Sequence, residues 1–233
     1  MTKKSIPRKI IVLKSNDKLG REKWSKNRDL MNFPAGYRMV LCGPPSCGKS
    51  CIVKNLLVHA EPLYDRAILC HFDNLSRDYE DTDVETFDND FPRNDDIDGS
   101  QKNLIIFEDL NYDGLSKEQK IDLASLFKYV SSHKNCSIIW TCHDLTTGLA
   151  PCIRRLANIY VLFKLSDMST LNHIGQKCGM TSKDFMEIFK EYIKQPHDNL
   201  CIDLTQGTPA SLRLNMYQKL KLNDDIDDVE DEE

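Results

Sequence analysis

No stretch of this 233-residue sequence is both long enough and apolar enough to span a bilayer. The basic opening Met1-Thr2-Lys3-Lys4-Ser5 is not followed by the apolar core of a secretory signal, so the expected location is intracellular. There is no internal repeat, and low complexity is confined to the acidic end of the chain. Metal-ligand spacing is also lacking: no C-x-x-C or H-x₃-H pair surrounds Cys136, Cys142, His143 and Cys152, which argues against zinc. The nine cysteines are odd in number, and Cys42, Cys70, Cys136, Cys142 and Cys201 lie inside apolar runs. They read as small core residues in a reducing compartment rather than as a disulfide framework.

What is present is an ordinary globular composition, 40% hydrophobic and 29% charged, in a chain long enough for one α/β domain with a sizeable core. Charge is unevenly spread. Residues 1–30 hold ten Lys or Arg against three acids, whereas residues 223–233 hold eight acids and no base. Without those eight acids the formal charge of −5 becomes +3. The basic end suits contact with nucleic-acid phosphates or a solvated arm, and the acidic tail is expected to be disordered. The organisation expected is therefore an arm over 1–30, a single domain over 31–221 and a tail over 222–233.

Residues 43–50 read G-P-P-S-C-G-K-S, the phosphate-loop pattern G-x-x-x-x-G-K-[ST]. The apolar run 37–42 before it predicts a buried strand, and apolar residues at helical spacing after it predict a helix to about residue 60. Backbone N–H groups at the start of such a helix form a concave anion site. Pro44 and Pro45 stiffen the loop but have no N–H, so the donors are expected to be Ser46, Cys47, Gly48, Lys49 and Ser50. Gly43 and Gly48 permit backbone angles and close approach that a side chain would block. Lys49 is expected on the β- and γ-phosphates of a nucleoside triphosphate, with the Ser50 hydroxyl on Mg²⁺.

Further strands are predicted at 10–13, 66–70, 103–109, 136–141, 159–165, 200–204 and 211–214. Helices are predicted from a capping box at Ser116-Lys117-Glu118-Gln119 through 134, and at 150–156, 169–178 and 182–194. Residues 78–98, with ten acids and one base, read as a surface insertion rather than core. Strands alternating with helices imply a mostly parallel sheet covered on both faces, an α/β fold of three layers.

Three further elements complete a constellation. Residues 104–109, L-I-I-F-E-D, form an apolar strand that delivers two acids to the rim of the sheet. One carboxylate can hold the Mg²⁺ shell while its neighbour polarises an attacking water. Position suggests Glu108 near the metal and Asp109 as base; the usual order is Asp then Glu, so the roles stay open. The strand 137–144 should lie beside the acid strand and point Thr141 or His143 at the γ-phosphate. Arg154 and Arg155, on a short helix, suit a finger that reaches a neighbouring subunit's nucleotide.

The order of these parts resembles the FtsK–HerA superfamily of P-loop NTPases. Within it, the sequence is similar to the poxvirus-type DNA-packaging ATPases of large DNA viruses, virophages and Polinton-like elements. The segment 151–164, P-C-I-R-R-L-A-N-I-Y-V-L-F-K, and the late strand 200–204 followed by Arg213 carry part of the likeness, which covers roughly residues 35–220. The chain departs from it in the Glu-Asp order and in His143, where a Gln is usual. The resemblance implies an ATP- and Mg²⁺-dependent ring motor that drives double-stranded DNA into a capsid. Its implied partners are DNA, identical subunits and capsid or portal-vertex proteins, in the nucleus or cytoplasm of a host cell or with the virion. Other readings are a helicase-like ATPase, a nucleotide kinase and a nucleotide-dependent assembly factor. A kinase usually carries an Arg-rich lid, whereas Asn111-Tyr112-Asp113-Gly114 after the acid pair is short and acidic.

Overall fold

The computed structural model describes residues 33–34, 36–60, 62–72, 78–145, 149–166, 168–205 and 210–220. The arm and strand expected within 1–30, and the tail expected over 222–233, lie outside the described residues. Among the described residues nine strands build one sheet: β1 Arg38–Cys42, β2 Arg66–His71, β3 Glu85–Asp88, β4 Asn103–Glu108, β5 Cys136–Cys142, β6 Ile159–Leu162, β7 Leu200–Asp203, β8 Ser211–Leu214 and β9 Gln218–Lys219. The order across the sheet is β3-β2-β4-β5-β1-β6-β7-β8-β9. The six strands from β3 to β6 pair parallel, and β7, β8 and β9 continue antiparallel.

The central strands are nearly continuous apolar runs because both their faces are covered. Alternate residues separate two layers of core. Met39, Leu41, Leu104, Ile106, Ile139 and Val161 pack with Val53 and Leu56 of α1, Lys49–His59. Val40, Ile105, Phe107, Ile138 and Trp140 face the other way. There they meet α2, Lys117–Ser125, which runs on through a π-helical turn, Leu126–Val130, to Ser131–His133. The same layer holds α3 (Pro151–Leu156), α4 (Met168–Lys177) and α5 (Ser182–Tyr192). The capping box forms as read: Gln119 N–H donates to Ser116 Oγ at 3.1 Å, and Ser116 N–H to Gln119 Oε1 at 3.0 Å.

The acid-rich segment 78–98 corrects the sequence reading. It supplies the edge strand β3, in parallel register with β2, and buries Tyr79, Phe91 and Ile97 in the core. Its acids alternate with apolar residues that a charge count alone conceals. Among the nine cysteines, all free, eight are buried and Cys51 is exposed, in keeping with a core role for most of them. No described helix is long and apolar enough to cross a membrane.

Candidate nucleotide site

The phosphate loop leaves β1 at its carboxyl end, where ligands of open α/β sheets bind. Its two glycines serve different needs. A Cβ on Gly43 would lie 2.6 Å from Phe163 Cβ and 2.7 Å from Cys47 Sγ, so close packing excludes a side chain. A Cβ on Gly48 would make only ordinary contacts, 3.8 Å from Phe163 Cε1 and 3.9 Å from His197 Nδ1, but its φ of 111° is a backbone conformation that L side chains rarely adopt. Ser46 also lies in the left-handed region, at φ 59°. These turns precede the first N–H groups of α1.

Lys49 is nearly buried at the first position of α1, and its ammonium is held by three groups. Nζ donates to Gly43 O at 3.0 Å and Pro44 O at 3.3 Å, and lies 3.2 Å from His143 Nδ1. His143 Nε2 in turn faces Asp109 Oδ2 at 3.4 Å. Nδ1 also lies 3.2 Å from Gly43 O: an Nε2–H tautomer lets Nδ1 accept from Lys49 and Nε2–H donate toward Asp109, whereas an Nδ1–H would donate to Gly43 O instead. This relay exists because β5 lies between β1 and β4, so the ends of three adjacent strands present Lys49, His143 and Asp109 side by side. Asp109 itself sits at φ 48°, rare for a residue other than glycine, and its N–H donates to Thr141 Oγ1 at 3.3 Å. Of the two sensor candidates, Thr141 is therefore fully buried supporting Asp109, and His143 is the one that reaches the site.

Ser50 Oγ lies 3.3 Å from Glu108 Oε1 and 2.6 Å from Asp78 Oδ2. Burial raises the Glu108 carboxyl above the usual glutamate range, and the charges of Asp109 and Asp78 push it the same way. Glu108 Oε2 is buried and makes no hydrogen bond of good geometry among the described residues, although the buried Tyr79 hydroxyl is close enough to interact with the carboxylate. A crowded, partly orphaned carboxylate beside a serine hydroxyl fits a Mg²⁺ with one or two protein ligands. Among the described residues no three His, Cys, Asp or Glu side chains are grouped to hold a metal alone, so phosphate oxygens would complete the shell.

Arg154 and Arg155 are not brought to this loop. α3 carries both on the far side of the sheet from α1. The Arg154 carbonyl accepts from Tyr160 Oη at 3.0 Å, and exposed Arg155 donates from Nε to Pro151 O at 3.3 Å. Sequence reasoning missed Asp78, Tyr79 and His197. His197, in the turn before β7, places Nδ1 3.0 Å from Cys47 O and so braces the phosphate loop. Asp78 had a signal in its place soon after β2, at the carboxyl edge; His197 had none.

The fold is similar to that of solved viral proteins. The genome packaging NTPase B204 from Sulfolobus turreted icosahedral virus 2, in complex with sulfate, superposes with a TM-score of 0.55 at 16% identity, covering 78% of this chain and 96% of that one. The same protein in complex with ATP-gammaS gives 0.52 at 14% identity, over 77% and 96%. B204, the DNA-packaging ATPase from Sulfolobus turreted icosahedral virus, gives 0.54 at 12% identity, over 78% and 98%. The fold is that of a P-loop NTPase. The P-loop NTPase fold here agrees with the resemblance carried by the motifs. No family model and no curated protein matches the sequence.

Proposed function

We propose that this chain is an ATPase that moves double-stranded DNA into a viral capsid, working as a ring of identical subunits. One observation carries the hydrolytic reading: the line Lys49–His143–Asp109 across the carboxyl ends of β1, β5 and β4. The loop N–H groups from Ser46 to Ser50 and the Lys49 ammonium bind the triphosphate. Ser50 and Glu108 hold Mg²⁺, which supplies neutralising charge at the phosphates. Asp109, exposed enough to meet solvent, orients and deprotonates the attacking water. A phosphate that draws Lys49 toward it removes the donor from His143 Nδ1, so the imidazole transmits occupancy to Asp109. Arg154 or Arg155 acts on the nucleotide of the adjacent subunit, a role worth about 10³–10⁵ in rate where such fingers operate.

The likeness of fold to packaging NTPases supports DNA as the cargo, and DNA held through phosphates loosens as salt rises. The test is ATP turnover with and without double-stranded DNA for the wild type, Lys49→Ala and Asp109→Asn. DNA should stimulate the wild type, and both variants should lose turnover. Unchanged turnover in Lys49→Ala overturns the catalytic assignment, and an unstimulated wild type overturns the motor. Strand separation would indicate a helicase, phosphorylation of nucleoside monophosphates a kinase, and ATP-driven assembly without phosphate release an assembly factor.

A further inference from the structure

The segment after β2 is docked along the phosphate-loop helix by contacts one helical turn apart. Ser50 Oγ donates to Asp78 Oδ2 at 2.6 Å, and Lys54 Nζ pairs with Asp81 Oδ1 at 2.7 Å. Between them Tyr79 is buried in the same core cluster as Val53 and Leu56 of α1. Thr82 closes the turn, donating from N–H to Tyr79 O at 3.0 Å and from Oγ1 at 2.6 Å. Asp78 is thus held against Ser50 by an anchored turn.

A serine hydroxyl has one proton and two lone pairs. A cation bound to Ser50 takes a lone pair, so the proton needs an acceptor pointing away from the cation. Two carboxylates compete for it, and Asp78 at 2.6 Å is much the better placed than Glu108 at 3.3 Å. Handing the proton to Asp78 leaves Glu108, whose buried carboxylate otherwise meets the Tyr79 hydroxyl, for the cation. We infer that Asp78 is a positioning residue for the metal: it fixes the Ser50 hydroxyl so that a lone pair faces a Mg²⁺ shared with Glu108. The inference rests on the nucleotide-hydrolysing reading of this site. It also places the acid-rich segment in the catalytic machinery, where a change in the 78–82 turn alters Mg²⁺ binding through Ser50 without changing the residues of the phosphate loop.

The test uses the full chain and a fluorescent, non-hydrolysable ATP analogue, titrated with Mg²⁺ from a chelated start. Outer partners of metal ligands typically contribute about 10–100-fold in affinity. Asp78→Ala should raise the half-saturating Mg²⁺ about tenfold or more, with analogue affinity in chelator and the melting temperature unchanged. Asp78→Asn keeps an acceptor oxygen and should restore most of the Mg²⁺ response. Wild-type Mg²⁺ dependence in Asp78→Ala overturns the assignment while leaving the hydrolytic reading intact. An equal loss of affinity with and without Mg²⁺ marks a merely structural residue and also overturns it. A wild type whose analogue binding ignores Mg²⁺ overturns both readings together.

Discussion

Lys49 Nζ and His143 Nδ1 meet at 3.2 Å although 94 residues separate them in the chain. On the proposed reading, the contact makes His143 the hinge between the group that would bind phosphate and the acid that would handle water. His143→Ala should therefore lower kcat by about 10²-fold, the scale of losing one preorganised polar group, while changing nucleotide affinity little. Steady-state kinetics beside equilibrium binding separates these effects. An unchanged kcat would remove His143 from the relay.

Gly43→Ala drives a methyl group into Phe163 and Cys47. Overpacking of this kind costs about 1–3 kcal/mol, so chemical denaturation should show that loss together with weakened nucleotide binding. A variant as stable as the wild type would mean the loop has room the contacts deny.

The raised Glu108 carboxyl gives a pH dependence with a defined sign. The native protein binds that proton more tightly than the unfolded chain. The resulting stabilisation is complete below the ordinary glutamate pKa of about 4.3 and is lost as pH rises through the raised value. Glu108→Gln removes the titration. In Mg²⁺-free buffer the wild-type melting temperature should fall relative to the variant across that window, and parallel curves would contradict the crowding of Glu108 by Asp78 and Asp109.

Arg155 is exposed and, among the described residues, donates a local bond along α3. Substituting it with Ala should shift the melting temperature by less than about 2 °C, since surface changes usually stay within ~0.5 kcal/mol. A finger acting between subunits requires more: an Arg154→Ala, Arg155→Ala protein mixed into the wild type should depress turnover beyond simple dilution. Normal turnover and normal rings from the double variant alone would exclude the role for both.

His197 contributes one hydrogen bond to Cys47 O, worth about 1 kcal/mol net. His197→Ala should weaken nucleotide binding roughly fivefold with the fold retained. Calorimetric titration with a non-hydrolysable analogue reads this directly, and unaltered affinity would show that the brace does not shape the loop.

Much of this molecule is written locally. The strand, loop and helix around residues 43–50 follow from an apolar run, two glycines and a helical repeat, each of which acts over a few residues. The same holds for β4 with its terminal acids and for the Ser116 cap. β9 escaped because two polar residues, Gln218 and Lys219, carry no apolar signal. The 78–98 segment was misread because abundant charge masked Tyr79, Phe91 and Ile97, whose burial depends on surfaces far away in the chain.

By itself the sequence determined the phosphate loop, the two carboxylates, the candidate sensor pair and the layered α/β plan, because backbone sterics and hydrophobic periodicity are properties of short segments. Tertiary structure decided the rest. Strand order is a non-local choice, made by which apolar faces can be covered together, and it set β5 between β1 and β4. That choice brought His143 between Lys49 and Asp109 and turned Thr141 inward. The docking of the 78–82 turn on α1 brought Asp78 to Ser50, and the layer that α3 joined put Arg154 and Arg155 across the sheet from the phosphate-loop helix.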